Sequence, residues 1–412
     1  MRARIFFCLV AATVLFVAVA PGFAQQPEVI HWQDIESLLE EHPDFQIAES
    51  ELAAAKAEIC VARQYPNPEI SGSYGRAEAL EGDETATIFG VEAEVPIDKP
   101  IAWIFDAKAA KAEYRAAGND AQRTRLDAVL QLRRLFLAAV FAEEKLEALT
   151  RSRDQVAQLV ETAKRRVESG EASPLEQSRL EIELEKVGAD LSAADKYRNA
   201  VNRNLDLWLG GKLPDGYRAQ TAWTKLPEIP AIDSVASKAK QANPELSATR
   251  ERVDAADARV KAEWNRLMPS FSVGAFYDEE MDSKSVGGMA TVEVPLWNWN
   301  QGGIKKARAE RNAARHKLVR EQRSLSAEIN RLHAETAQLI ERAQRYYDNI
   351  LPRAKQNFTA QEKRYQIGET DVMDLLDAGR ELVEIETEMQ DIFFESWVTY
   401  YELMTLMGGN DA

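Results

Sequence analysis

Apolar residues recur along this chain with two different periods, and the change from one to the other happens twice. Between Thr85 and Val95, Phe89, Val91, Ala93 and Val95 fall on one side, while Glu92 and Glu94 fall on the other. From Ser270 to Asp278 the same alternation gathers Phe271, Val273, Ala275 and Tyr277. From Ser285 to Val294 it sets Val286, Gly288, Ala290, Val292 and Val294 against Glu293. A period of two over eight to eleven residues predicts strands. With Glu69 to Arg76 they make two hairpins, 69–95 and 270–294, turned at Gly82-Asp83 and across Asp278 to Lys284.

Elsewhere the period is helical. Leu126, Val129, Leu130, Arg133, Phe136, Leu137, Val140 and Phe141 draw a narrow, mostly apolar stripe through charged neighbours, as in a helix packed into a bundle or coiled-coil wall. Long helices are predicted from Ile104 to Glu168 and from Gly303 to Gln366, each spanning roughly 95 Å at 1.5 Å per residue. Pro352 should kink or divide the second. Return helices follow breaks at Gly170 and Gly368 and end near Leu209 and Met407. Ser173-Pro174-Leu175-Glu176 starts the first, with Ser as cap and Pro in the first turn. Shorter helices are expected from Gln33 to Tyr65 and from Ser234 to Leu267. Pro66, Pro68 and Pro269 stop them, since proline lacks the amide hydrogen and blocks the preceding turn.

The chain is thus written twice, at a shift of about 200 residues. His42-Pro43 matches Asn243-Pro244, Pro68 matches Pro269, and Val95-Pro96-Ile97 matches Val294-Pro295-Leu296. Gly170-Glu171 matches Gly368-Glu369, and Leu209-Gly210 matches Met407-Gly408. The expected organisation is a signal peptide over 1–24, a first repeat over 25–210, a linker over 211–232, a second repeat over 233–408 and a short tail, 409–412. The fold class is mainly α with a small β part.

Composition narrows the function. Arg2 and Arg4 precede an apolar run from Ile5 to Ala20 and then Pro21-Gly22-Phe23-Ala24, which reads as a cleaved secretory signal. Without it the chain carries 49 Lys and Arg against 67 Asp and Glu, a balance that repels nucleic acid. Cys60 alone would survive processing, so no internal disulfide framework is expected. No Gly-x-Ser-x-Gly, zinc or phosphate-loop pattern suggests an enzyme, and no cofactor is expected. His31, His42, His316 and His333 do not pair at ligand spacing, so no metal ligand is assigned.

No later stretch is long enough for a transmembrane helix, so the mature chain can cross a bilayer only with strands. One apolar and one polar face is the lipid-out, water-in pattern of a transmembrane barrel. Four strands cannot close one, and open edges in lipid are prohibitive. The strands must therefore be shared with identical chains, and the long helical hairpins would continue the pore as a tunnel. Trp103, Trp297 and Trp299 follow the second strand of each hairpin and suit either a membrane-interface belt or the packing of the strand-to-helix junction. The rival architecture is a secreted or periplasmic coiled-coil scaffold whose hairpins form a soluble sheet.

The order of helix, hairpin, long helix and return helix, repeated, resembles the TolC-type outer-membrane factor family over nearly the whole mature chain. Arg166-Val167-Glu168-Ser169-Gly170 with Ser173-Pro174-Leu175-Glu176 resembles that family's first helical tip. Arg364-Tyr365-Gln366-Ile367-Gly368 with Val372-Met373-Asp374-Leu375-Leu376-Asp377-Ala378 resembles its second. Pro295-Leu296-Trp297-Asn298-Trp299-Asn300-Gln301-Gly302 is similar to the junction in the CzcC-like heavy-metal cation efflux branch, although the lipobox of some relatives is missing. The resemblance implies a homotrimer in the outer membrane of a Gram-negative-type cell, with a twelve-stranded β-barrel over a periplasmic α-barrel. It further implies passive export in partnership with a periplasmic adaptor and an inner-membrane pump of the resistance–nodulation–division type. Export of drugs or polypeptides by the same kind of channel is the alternative.

The resemblance also places functional residues. Asp374 and Asp377, with Glu176 and Tyr365, match the closed periplasmic entrance, where symmetry would crowd carboxylates into a cation-favouring mouth. The family's basic gate partner has no counterpart at Thr370. Gly170, Gly368, Arg166, Val167, Ser173, Leu175, Gln366 and Thr370 are the candidates for adaptor contact.

Overall fold

The computed structural model describes residues 28–78, 85–97, 101–221, 226–280 and 283–409. The signal-peptide expectation and the Gly82-Asp83 turn fall outside them. In chain order the elements begin with strand β1 (Val29–Ile30), helix α1 (Trp32–Glu36), a 3-10 turn over Ser37–Glu41 and α2 (Pro43–Val61). The first hairpin is β2 (Glu69–Glu78) and β3 (Thr85–Ile97). Then come α3 (Ala102–Glu168), α4 (Pro174–Trp208) and β4 (Arg218–Ala219). The second repeat runs through α5 (Ile232–Ala242), α6 (Pro244–Asn265), β5 (Ser270–Glu279) and β6 (Lys284–Glu293). It closes with α7 (Gln301–Arg345), α8 (Leu351–Gln366) and α9 (Val372–Leu406).

One expectation needs correction. The helices expected at 33–65 and 234–267 are each broken, at His42 and at Asn243. Both residues precede proline, which drives them to extended backbone (ψ 136° and 120°). Each then caps the next helix: His42 Nδ1 accepts from Asp44 N at 3.3 Å, and Asn243 Oδ1 accepts from Leu246 N at 2.9 Å. The first part of the expected linker, 211–232, packs on the first repeat. Its β4 pairs in parallel with β1, Tyr217 is buried, and the Tyr217 hydroxyl donates to Asn202 O at 2.8 Å. The break expected at Pro352 takes the form of a π-helical turn, Tyr346–Ile350, between α7 and α8.

The duplication is visible in the cores. Ile35, Val129, Leu132 and Leu205 are buried together in one cluster, and Val235, Ile329, Leu332 and Leu403 in another. These are the same positions shifted by 198 to 200 residues. Between the repeats, α3 and α6 run antiparallel with ion pairs at heptad spacing: Asp106–Arg266 at 3.1 Å, Glu113–Arg259 at 3.2 Å, and Asp120–Arg252. Such exposed pairs add little stability, but they fix the register of two helices whose mutual packing is largely alanine.

Arg198 of α4 and Arg218 of β4 converge on Glu143 of α3, whose carboxylate is buried; Arg198 Nη1 lies 3.5 Å from it and Arg218 Nε 2.6 Å. Glu143→Ala removes the buried carboxylate that both arginines share and leaves Arg198 with Asp195 and Arg218 with Glu147. It is expected to destabilise the protein by about 2–4 kcal/mol, the lower end applying because both arginines are partly solvated. Thermal melting of the purified assembly checks this, and an unshifted transition contradicts it.

The hairpins join into one antiparallel sheet in the order β2-β3-β5-β6, so β2 and β6 are its edges. Register places Val91 opposite Tyr277, Val95 opposite Val273 and Ile97 opposite Phe271, all on one face. That apolar face is the exposed one, with Val95 and Val273 each 46% accessible, whereas Glu92, Glu94, Ser272 and Asp278 on the other face are half-buried. Water would reverse this arrangement. No described helix is long and apolar enough to cross a membrane.

Candidate functional site: the helical tips and the pore lining

At each tip a long helix ends on a glycine in left-handed backbone, Gly170 (φ 78°) and Gly368 (φ 79°), a region that side chains with a Cβ disfavour. The amide of the next residue reaches back six positions less one: Glu171 N to Arg166 O and Glu369 N to Arg364 O, both 2.8 Å. The two reversals are the same motif at a shift of 198. After the first, Ser173 Oγ caps α4 by accepting from Leu175 N at 3.1 Å, with Pro174 in the first turn.

The two tips are then tied together. The Tyr365 hydroxyl donates to Glu176 Oε1 at 2.5 Å. Tyr365 is 2% exposed, and burial, reinforced by the Glu176 carboxylate, pushes its hydroxyl up to about 12, which keeps it a donor. From the other tip, Arg166 stacks over the Tyr365 ring at 5.1 Å and stands 4.0 Å from Glu176. Arg166 thus faces the seam between the tips. Val167 is half-buried, whereas Ser173, Leu175 and Gln366 are exposed. Ile367, part of the second-tip stretch, is 69% exposed beside them.

Asp374 and Asp377 stand on the exposed face of α9 and do not join the Tyr365 cluster. Thr370 Oγ1 donates to Asp374 Oδ2 at 2.7 Å, and Arg380 Nη1 to Asp377 Oδ1 at 3.1 Å. Arg380 also grips both oxygens of Glu183 on α4, with Nε at 2.8 Å from Oε1, and this guanidinium holds the Glu183 carboxyl below its usual range. Neither Glu183 nor Arg380 was foreseen, because they are far apart in sequence and neither belongs to a motif.

At the other end of the helices, Trp103, Trp297 and Trp299 are exposed, Trp297 by 90%. Tyr65, in the connection from α2 to β2 with its ring 6.4 Å from Trp103, and Trp264, in the last turn of α6 with Arg308 stacked at 5.2 Å, extend the group. The polar face of the sheet carries the half-buried Glu92, Glu94 and Asp278 and the exposed Glu69 and Glu293 and, among the described strand residues, no lysine or arginine. Among the described residues no group of three or more His, Cys, Asp or Glu is placed to hold a metal ion.

Known proteins share this architecture. The fold superposes on the CusC channel with a TM-score of 0.77 at 18% identity, covering 91% of each chain. It superposes on the Campylobacter jejuni CmeC outer membrane channel with a TM-score of 0.75 at 15% identity, over 91% of this chain and 84% of that one. In sequence, the chain is 27% identical over 342 residues to the cobalt-zinc-cadmium resistance protein CzcC of Cupriavidus metallidurans, 82% of this chain and 80% of the relative. The family model for outer membrane efflux proteins matches residues 35–211 and 235–391, one segment in each repeat. The chain therefore belongs to the outer membrane efflux protein family, a family of TolC-like outer-membrane channels rather than enzymes.

Proposed function

We propose that this protein is the outer-membrane duct of a tripartite efflux system and that its cargo is divalent heavy-metal cations. Three copies pair β2 of one chain with β6 of the next, closing a twelve-stranded barrel whose apolar face meets lipid. The exposed tips, with Leu175, Gln366 and Ile367, receive a periplasmic adaptor, and an inner-membrane pump of the resistance–nodulation–division type supplies the energy.

The observation that carries the cargo assignment is the polar face of the sheet, five carboxylates per chain with no described basic residue among them. A lumen so lined favours cations by simple Coulomb attraction and needs no metal ligand. The name of the relative CzcC, a cobalt-zinc-cadmium resistance protein, agrees with it. At the mouth, Arg166, Glu176 and Tyr365 hold the tips closed, and the exposed Asp374 presents charge to the incoming ion.

Deletion of the gene in its own host tests the assignment. Tolerance to cobalt, zinc or cadmium should fall at least several-fold and return when the gene is restored, with tolerance to organic toxicants unchanged. Unaltered cation tolerance with lost drug tolerance transfers the protein to drug export. For the mouth, Asp374→Ala should weaken block by multivalent cations in planar bilayers about tenfold, and an unchanged block removes Asp374 from the entrance.

A further inference from the structure

Two turns above Glu176, α4 and α9 meet again at Glu183 and Arg380. Glu183 has only 6% of its side chain exposed, and Arg380 holds it through two hydrogen bonds. Around this contact the helices part to leave a groove of about 680 Å³, lined from α3, α4 and α9 by Leu149, Val156, Val187, Tyr197, Leu376 and Phe394, with Glu183 and Arg380 on its wall. Near the tips the seam combines an apolar cluster, in which Ala163 and Leu180 meet Phe358, Tyr365, Leu375 and Leu376, with two polar links, Glu176–Tyr365 and Glu183–Arg380.

Breaking a buried ion pair ordinarily leaves two uncompensated charges. Here each partner has a second counter-ion on its own helix. Asp377, three residues before Arg380, already lies 3.1 Å from Nη1. Lys186, three residues after Glu183, has its Nζ 4.0 Å from Oε2. When α4 and α9 separate, Arg380 stays with Asp377 and Glu183 stays with Lys186, both pairs being local to one helix and needing no contact across the seam.

We propose that Glu183 and Arg380 form a partner-exchange clasp, which joins the two helical hairpins while the periplasmic end is closed and releases into two same-helix ion pairs when it opens. This rests on the reading of the tips as a gate. It also gives Asp377 a role opposite to that of a carboxylate obstructing the mouth, for it stabilises the open state.

Single-channel recording on the full-length protein in planar bilayers tests the clasp through open probability. Glu183→Gln, which weakens the cross-seam link, should raise it about tenfold. Asp377→Asn and Lys186→Gln, both at exposed positions where folding is not at risk, should each lower it three- to tenfold, because each leaves one charge without a counter-ion in the open state. Tyr365→Phe, which cuts only the lower link, serves as the control and should raise it. If Tyr365→Phe opens the channel but Asp377→Asn and Lys186→Gln leave open probability unchanged or raise it, the clasp is wrong and the gate stands. If none of the four changes it, the gate reading falls and takes the clasp with it.

Discussion

Replacing Val91 by lysine is expected to abolish assembly in the outer membrane, whereas the same change one residue later, Glu92→Lys, is expected to leave assembly intact. Val91 lies at the middle of β3, a strand paired on both sides, and its side chain is on the apolar face with Tyr277 directly across. A lysine on the lipid face near the bilayer midplane costs about 2–4 kcal/mol, and a trimer places three of them in one barrel. The total, on the order of 6–12 kcal/mol, is comparable with the whole stability of an ordinary folded domain. Glu92 faces the opposite way, toward water, so its lysine meets no lipid. Heat-modifiable trimers in detergent extracts of envelopes give the readout. Equal assembly of the two variants would mean that the sheet's apolar face does not meet lipid, and the soluble scaffold would be restored.

That experiment works because of what alternation encodes, which is also why so much of the fold was readable in advance. A strand's two faces are written residue by residue, so the strands of 69–95 and 270–294 could be located to within about two residues. The tips were equally legible, since a left-handed glycine and a capped proline are local requirements. Local patterning could not report partners hundreds of residues apart. Nothing near Arg166 in sequence shows Tyr365 lying under it, 199 positions later. Glu183 and Arg380 look like ordinary members of a solvated helix face until α4 and α9 are brought side by side. The breaks at His42 and Asn243 are a different case. The signal, a residue before proline, was present in both copies, but the helix-rich composition on either side outweighed it.

The second large effect concerns selectivity. Neutralising the lumen through Glu69→Gln, Glu92→Gln, Glu94→Gln and Glu293→Gln together should reduce the ratio of cation to anion permeability about tenfold, toward parity. These side chains and Asp278 lie on one face in register: Glu69 opposite Glu94, Ser71 opposite Glu92, Ser270 opposite Glu293. Three chains would set about fifteen carboxylates around a single passage, and rings of Asp and Glu are how cation channels select. Charges on a wall act across roughly 10 Å at 0.1 M salt, so the preference should fade as ionic strength rises. The reversal potential in a potassium chloride gradient reads the ratio directly. The mouth is in series with the barrel, so Asp374→Asn must be recorded alongside. If that single change abolishes the preference while the four lumen substitutions leave it untouched, selection resides at the tips. The acidic barrel wall would then be a solvation device, and the case for cation cargo would rest on the periplasmic entrance alone.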